Sequence, residues 1–358
     1  MRVIFISLLS VLTLLMSLAA QDRSSETLDI YVIDVEGGEA TLFVSPSGES
    51  MLVDTGWPGF DNRDAKRIAA AAAAANVSQI DHLIVTHFHT DHMGGVHQLV
   101  EQLPVINFLD HGITVDQGER QRTAFERYVR LRNRHTHRVV KPGDQVAING
   151  LDVRIIASNG EVLTSPLPQA GQMNPACEGF KFHGENILSR YGDAEDQRSV
   201  SAFVGFGQFR TVIMGDLTWN KEFPLMCPDN KIGLVDLYLI SHHGSDTSGS
   251  AALVQAITPR VGVMNNGPRK GGGLQTFEIL AGVQSLEDIW QNHYAVPVGE
   301  ANMDERFIAN LQDFAPEGDT STIHLGSSYW THVSAKRDGS FTVTNSRNGF
   351  SREYGPRN

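Results

Sequence analysis

The chain has 358 residues, a formal net charge of −12 and two cysteines. This length allows one large domain with a sizeable hydrophobic core, or one domain with a small appendage. An acidic surface repels nucleic acid and anionic membranes, so the composition gives no support to bulk nucleic-acid binding.

Residues 1–20 have the pattern of a signal peptide. Arg2 precedes an apolar run, and Ala19 and Ala20 offer a small-residue cleavage site. The run is a little short for a membrane span and contains several hydroxyl side chains, so we favour cleavage over an uncleaved anchor. We therefore expect an exported protein, periplasmic or secreted, with residues 21–27 as a polar linker and no stable membrane span after cleavage.

Strand and helix patterns alternate along the rest of the chain. Strands are predicted at 28–56 (three strands linked by hairpins), 80–86, 105–112, 199–207, 209–216 and 235–245. Helices are predicted at 62–77, which contains an alanine run, and at 93–103, 119–135 and 251–257. Interleaved strands and helices predict an α/β fold, and the early hairpins make its sheet mixed.

The most densely polar pattern follows the predicted strand at 80–86. Residues 85–95 read VTHFHTDHMGG and contain His87, His89, Asp91 and His92. Residues two apart in an extended chain project to the same side, so His87, His89 and Asp91 should converge. A turn at Gly94-Gly95 would place His92 apart from the first ligands. Ligands separated in this way suit two neighbouring metals. Imidazole and carboxylate groups bind zinc and similar ions, whereas a pH switch needs no aspartate among its histidines, so we predict a metal site.

Other candidate ligands end predicted strands, where α/β sheets build their sites. Asp54 ends LVDTG, Asp216 ends VIMGD, and the doublet His242-His243 follows LYLIS. An aspartate at a strand end is more often a turn residue, whereas a histidine doublet before Gly-Ser is more typical of a site. A carboxylate can bridge two metals through its two oxygens.

The two cysteines, Cys177 and Cys227, both lie in the exported part. In an oxidising compartment they would close a loop of about 50 residues and stabilise the fold by about 4 kcal/mol. Two separate buried thiols are the alternative, and we favour the disulfide.

The motifs H-x-H-x-D-H, VDTG, MGDL and SHHGS occur in an order that resembles the metallo-β-lactamase superfamily of hydrolases. The closer resemblance is to the β-lactamase-like domain of the ComEC/Rec2 competence proteins. Their DVGQGDA strand-turn is similar to DVEGGEA at residues 34–40. The resemblance implies an αββα sandwich of two mixed β-sheets flanked by helices. We assign residues 28–300 to this hydrolase domain and residues 301–358 to a C-terminal extension with a β-hairpin, packed on the same domain.

The resemblance also implies a role for each site residue. The ligands would be His87 and His89 for the first metal and Asp91, His92 and one of His242 and His243 for the second. Asp216 would bridge the two metals, and Asp54 would orient the ligand loop from outside. Two zinc ions would activate a bridging water as the nucleophile. The spare histidine of the doublet would protonate the leaving group or hold a phosphoryl oxygen.

One expected ligand is missing. Most of the superfamily has another histidine upstream of the bridging aspartate, where this chain reads GDAEDQRSV. Asp196 is our predicted ligand there, with His183 as the alternative, and an oxygen ligand would weaken the first site or favour manganese over zinc. Arg269 and Lys270, in the loop GPRKGGG, would hold an anionic substrate, although an ordinary surface loop fits equally well.

We therefore expect an exported metal-dependent hydrolase that acts on a small-molecule or anionic substrate, and the competence-type resemblance implies a phosphodiester-type bond. A lactonase-type or β-lactamase-type acyl hydrolase would use the same water and metals. The missing histidine leaves a third hypothesis, a non-catalytic metal-binding protein with a degenerate site.

Overall fold

A computed structural model of the chain describes residues 26–180, 195–311 and 326–357. Within these ranges, two nine-stranded sheets stack face to face. Helices cover their outer faces, which confirms the predicted α/β sandwich of two mixed sheets. The predicted signal peptide, most of the predicted linker and His183 lie outside the described residues. Within the described ranges, no helix combines the length and the apolar character needed to cross a membrane.

The strands are short and numerous. In chain order they are β1 Thr27–Val32, β2 Thr41–Val44, β3 Ser50–Val53, β4 Ile80–Ile84, β5 Val105–Asp110, β6 Thr136–Val139, β7 Gln145–Val146, β8 Asp152–Ser158, β9 Glu161–Val162, β10 Gln172–Met173, β11 Ser201–Phe206, β12 Phe209–Ile213, β13 Asp229–Asn230, β14 Leu237–Ile240, β15 Val261–Met264, β16 Asp288–His293, β17 Ile308–Asn310, β18 Thr331–Lys336, β19 Phe341–Asn345 and β20 Ser351–Tyr354. The helices are α1 Arg63–Ala74, α2 Thr90–Met93, α3 Val96–Val100, α4 Glu119–Arg132, α5 Trp219–Met226, α6 Ala251–Ile257 and α7 Leu274–Ala281.

Each sheet combines an antiparallel part with a parallel part. The first sheet has the order β20-β19-β18-β1-β2-β3-β4-β5-β6, and its strands from β3 to β6 run parallel. The second has the order β17-β16-β15-β14-β12-β11-β8-β7, with β9 paired to β8, and its strands from β12 to β17 run parallel. Parallel strands end at the same edge, and ligand sites in α/β proteins lie at such edges.

The hydrophobic core follows from the alternation of side chains along the strands. In β1, Leu28, Ile30 and Val32 point between the two sheets, whereas Tyr31 points to the helical layer. On that outer face, Ala71 and Ala72 of α1 are fully buried. Their small side chains let the helix lie close to the sheet.

The structure also contains elements that the sequence did not predict. The helix predicted at 93–103 is divided into α2 and α3, because Gly94 and Gly95 separate two short turns. Helix α5 was missed because it contains Pro224, which normally ends a helix. Helix α7 and strand β16 were not predicted either.

A disulfide joins Cys177 to Cys227, 50 positions apart. This confirms the pairing that the sequence favoured. It ties the segment after β10 to the end of α5, next to the small β10–β13 pair.

We expect the double variant Cys177→Ala/Cys227→Ala to lose about 4 kcal/mol of unfolding free energy, because the unfolded chain regains the entropy of an open loop. Urea unfolding of the oxidised protein and the variant measures the difference. Reducing agent should lower the unfolding free energy of the parent protein to that of the variant and leave the variant unchanged. An unfolding free energy of the parent that reduction does not alter would contradict the prediction.

Candidate metal centre

Parallel pairing brings two pairs of strand ends to one edge of the sandwich. In the first sheet, β3 and β4 pair with Val53 beside Ile84, so Asp54 lies next to the chain leading into His87. In the second, β12 and β14 pair with Val212 beside Tyr238, which places Asp216 near the histidine doublet. The backbone N–H of Val200 donates to the carbonyl of Thr86 over 2.8 Å and joins the two sheets here.

The first donor group consists of His87, His89 and Asp196. The Nε2 atom of His87 lies 2.9 Å from the Nδ1 atom of His89. The Oδ1 atom of Asp196 lies 2.9 Å from His89 Nδ1 and 3.4 Å from His87 Nε2. This oxygen is buried and accepts no hydrogen bond from the described residues. Two imidazole nitrogens and an unsatisfied carboxylate oxygen thus face a common point.

The second donor group consists of Asp91, His92, Asp216 and His243, whose ligating atoms all lie within 4.8 Å of one another. The Nε2 atom of His92 lies 3.3 Å from an oxygen of Asp91, 3.3 Å from an oxygen of Asp216 and 3.2 Å from the Nε2 atom of His243. Ligands of a tetrahedral zinc ion, each about 2.05 Å from the metal, are separated by about 3.3 Å. The donor spacing therefore fits a divalent ion.

Asp216 is a member of the second donor group that also faces the first. Its Oδ2 atom is 4.0 Å from Nε2 of His87 in the first group and 3.6 Å from Nε2 of His243 in the second. A carboxylate in this position can contact two ions at once. The mixture of imidazole and carboxylate donors suits zinc and also suits manganese.

The charges of the site also favour cations. Burial opposes ionisation of His92, but the carboxylates of Asp216, Asp91 and Asp54 raise its pKa well above the usual value. Burial likewise works against the charge of Asp91, yet the Lys270 ammonium and His92 hold its pKa well below the usual value. Clustered buried carboxylates thus stabilise a positive charge on any group that lies beside them.

The two histidines of the doublet occupy different positions. Both have left-handed backbone dihedrals, with φ of 51° at His242 and 56° at His243, so their rings diverge from one tight turn. His243 belongs to the second donor group, whereas His242 approaches Asp216 Oδ2 from outside it, at 3.1 Å. The other ring nitrogen of His242 lies 3.1 Å from the hydroxyls of Thr247 and Ser248. Burial lowers the pKa of His242.

Asp54 lies directly behind the second donor group. Its carboxylate accepts hydrogen bonds from His92 Nδ1 over 2.7 Å, from the Thr86 hydroxyl over 2.6 Å and from the Thr86 backbone N–H over 2.7 Å. Because His92 donates to Asp54 through Nδ1, its Nε2 faces the neighbouring donor atoms and is the nitrogen left to bind a metal. Orientation of this kind is what a carboxylate behind a metal-bound imidazole provides.

Glu195, which the sequence analysis missed, fixes the first donor group from behind. The side chain is fully buried and accepts hydrogen bonds from the Phe88 backbone N–H over 3.0 Å and from His111 Nε2 over 2.9 Å. It also accepts from the hydroxyl of Thr114 and the backbone N–H of Val115, both over 2.9 Å. Its only sequence signal was a position next to Asp196. His111 thus binds Glu195 and has no contact with the donor atoms among the described residues.

Asp116 is a second residue that the sequence analysis missed. It lies on the loop after β5, and one of its carboxylate oxygens is 3.7 Å from His89 Nε2. This is the ring nitrogen of His89 that points away from the first donor group. Asp116 thus lies behind His89 of the first donor group, as Asp54 lies behind His92 of the second.

Comparison with known proteins finds a family match in the first part of the chain. Residues 33–164 match the model of the metallo-beta-lactamase superfamily, and this range contains Asp54 and the whole H-x-H-x-D-H motif. Among solved structures, the chain is similar to the metallo-beta-lactamase fold protein YhfI from Bacillus subtilis, at 12% identity over 74% of this chain and 95% of that chain, with a TM-score of 0.43. It is similar to Tm1679, a metal-dependent hydrolase of the beta-lactamase superfamily, at 12% identity over 75% of this chain and 97% of that chain, with a TM-score of 0.44. It is also similar to CmlA, a diiron beta-hydroxylase from Streptomyces venezuelae, at 16% identity over 74% of this chain and 48% of that chain, with a TM-score of 0.37.

We expect Asp54→Asn to weaken zinc binding about 10- to 100-fold. The side-chain N–H₂ of asparagine is a donor, whereas His92 Nδ1 and the Thr86 groups need an acceptor at this position. Competition with a chromophoric chelator measures the affinity. The matched control is Asp61→Asn, which removes the same charge from a side chain that is 81% exposed. Equal zinc affinities for the two folded variants would contradict the role of Asp54.

Proposed function

We propose that the chain, whose residues 33–164 match the model of the metallo-beta-lactamase superfamily, is a metal-dependent hydrolase with a two-metal centre that cleaves phosphodiester-type bonds. The observation that carries the proposal is the position of Asp216, whose carboxylate belongs to the second donor group and also faces His87 of the first. The placement of Asp196 beside His87 and His89 supports a complete first ligand set and argues against a degenerate site.

Divalent ions bound by these donors would supply an activated water, with a pKa lowered toward about 7, and would polarise the bond under attack. The residues of the chain set the geometry for this chemistry. Asp54 fixes the orientation of His92, and Glu195 fixes the backbone between His87 and His89. Zinc is the ion we propose, and manganese is the alternative because Asp196 supplies oxygen where a third imidazole is usual.

His242 is suited to move a proton at the leaving group. Its Nε2 lies beside Asp216, outside the second donor group, and the Thr247 and Ser248 hydroxyls fix the opposite ring nitrogen. A ring that is oriented but is no ligand can give a proton to the oxygen that departs. His243 then serves as the ligand, and His242 as the spare histidine of the doublet.

A phosphodiester fits this site because a cationic side chain lies among its donors. The Lys270 ammonium contacts Asp91, and the DVEGGEA turn that packs against the Lys270 loop resembles the competence-type domain.

We also propose export and a signal peptide. The Cys177–Cys227 disulfide supports an oxidising compartment.

We expect the zinc-loaded protein to hydrolyse bis(p-nitrophenyl) phosphate, and Asp216→Asn to lower that rate by more than about a hundredfold because the centre loses the carboxylate that faces both donor groups. Release of p-nitrophenol, together with metal content, provides the measurement. Asp61→Asn serves as the control and should retain the parental rate. Turnover of a chromogenic β-lactam without phosphodiester turnover would replace this proposal with an acyl hydrolase.

His242→Gln should separate proton transfer from metal binding. With an alkyl leaving group, we expect kcat to fall about a hundredfold, since the departing alkoxide needs a proton. With p-nitrophenolate, which departs without one, the fall should be small, and bound zinc should stay at the parental level. Steady-state kinetics on the two substrates give the comparison. An equal loss on both substrates would show that His242 acts by another route.

A further inference from the structure

Lys270 brings a positive charge to the donor atoms of the second group. It lies on the loop between β15 and α7, and its ammonium contacts the same Oδ2 atom of Asp91 that lies 3.3 Å from His92 Nε2 and 3.4 Å from His243 Nε2. A divalent ion bound by Asp91, His92 and His243 would need this oxygen. The ammonium and such an ion therefore compete for one ligand atom.

The loop that carries Lys270 is fixed to the site at several points. The backbone N–H of Gly272 donates to the carbonyl of His243 over 2.8 Å, and that of Gly273 donates to the carbonyl of Gly244 over 2.7 Å. The N–H of Gly267 donates to the carbonyl of Lys270 itself over 2.9 Å. The backbone of Lys270 is thus held in place, and any movement of the ammonium has to come from its four-carbon side chain.

An aromatic ring also lies beside this side chain. While it contacts Asp91, the ammonium lies 5.1 Å from the centre of the Trp57 ring, and the Lys270 side chain is 38% exposed. An aromatic face at this distance stabilises a cation that has left its carboxylate. A lysine released from Asp91 would remain beside the metal centre with its three N–H donors directed at an incoming group.

We propose that Lys270 is a metal-gated anion-binding residue: it neutralises Asp91 until a divalent ion takes that carboxylate, and then binds a negatively charged phosphoryl oxygen of the substrate. This inference rests on the proposed function and adds a specificity for anionic substrates to it. The exchange is one of ion pairs only, with no covalent bond made or broken. When the centre has bound its metal, both the Lys270 ammonium and the divalent ion would lie beside the substrate.

The first test reads the position of the ammonium without using activity. Acetylation of lysines by a soluble N-hydroxysuccinimide ester, followed by mass spectrometry of peptides, reports how accessible each amine is. We expect two equivalents of zinc to raise the labelling of Lys270 several-fold and inorganic phosphate to lower it again. Lys66, exposed and paired with Asp61, is the internal control and should label equally in every state.

The second test measures competition directly. Lys270→Met keeps the apolar stem beside Trp57 and removes the charge, so we expect the second zinc ion to bind about tenfold more tightly. We expect phosphate to inhibit the zinc-loaded variant at least about tenfold more weakly, because a charge-assisted hydrogen bond is lost. Lys66→Met removes an equal charge from an exposed side chain paired with Asp61, outside the site, and should change neither value to this extent.

The outcomes distinguish this inference from the proposed function. Zinc binding and phosphodiester turnover with unchanged Lys270 labelling, or equal zinc and phosphate affinities for Lys270→Met and the parent, would overturn the role of Lys270 and leave the hydrolase intact. Failure of the parent protein to bind zinc would overturn both, because no ion would then displace the lysine. Labelling that rises with zinc and falls with phosphate supports the proposal.

Discussion

The carboxylate of Asp54 is the constraint on which the metal centre depends. Its three hydrogen bonds join the end of β3 to the end of β4 and set the ring of His92 at the same time. The residue is fully buried with φ of 59°, a conformation that aspartate tolerates better than most side chains. A buried carboxylate is costly unless it is hydrogen-bonded, and here both oxygens are used. Without it, the peptide at Thr86 and the imidazole of His92 would lose their common acceptor.

Hydrogen bonds to buried side chains also fix the other side of the centre. Glu195 links the backbone of the H-x-H segment to the loop after β5, and the Ser199 hydroxyl accepts from the Asp216 backbone N–H over 3.2 Å. The donor atoms themselves come from both sheets, since His87 follows β4 whereas Asp216 follows β12. The centre is therefore complete only when the sandwich has closed, and its geometry depends on the packing between the sheets.

Much of this arrangement was accessible from the sequence, for identifiable reasons. Ligands that follow buried strands were predicted because parallel strand ends share an edge, and the structure brings His87, His89 and Asp216 together there. The sequence alone did not distinguish His243 from His242, because the choice depends on left-handed dihedrals in a single turn. Glu195 was missed because its partners lie 80 or more positions away along the chain. Helix α5 was missed because burial against the second sheet outweighs the cost of Pro224.

The pairing of β1 with β18 has a consequence for how the chain is made. The two strands meet over their full length, and Asp29 and His332 in this pair are 303 positions apart. At ribosomal rates of about 5–20 residues per second, roughly 15–60 s pass between the synthesis of one strand and that of the other. During that time β1 is an open edge with unpaired N–H and C=O groups, the kind of surface that recruits other chains. A chain that folded before its last strands emerged would therefore expose this edge to other chains.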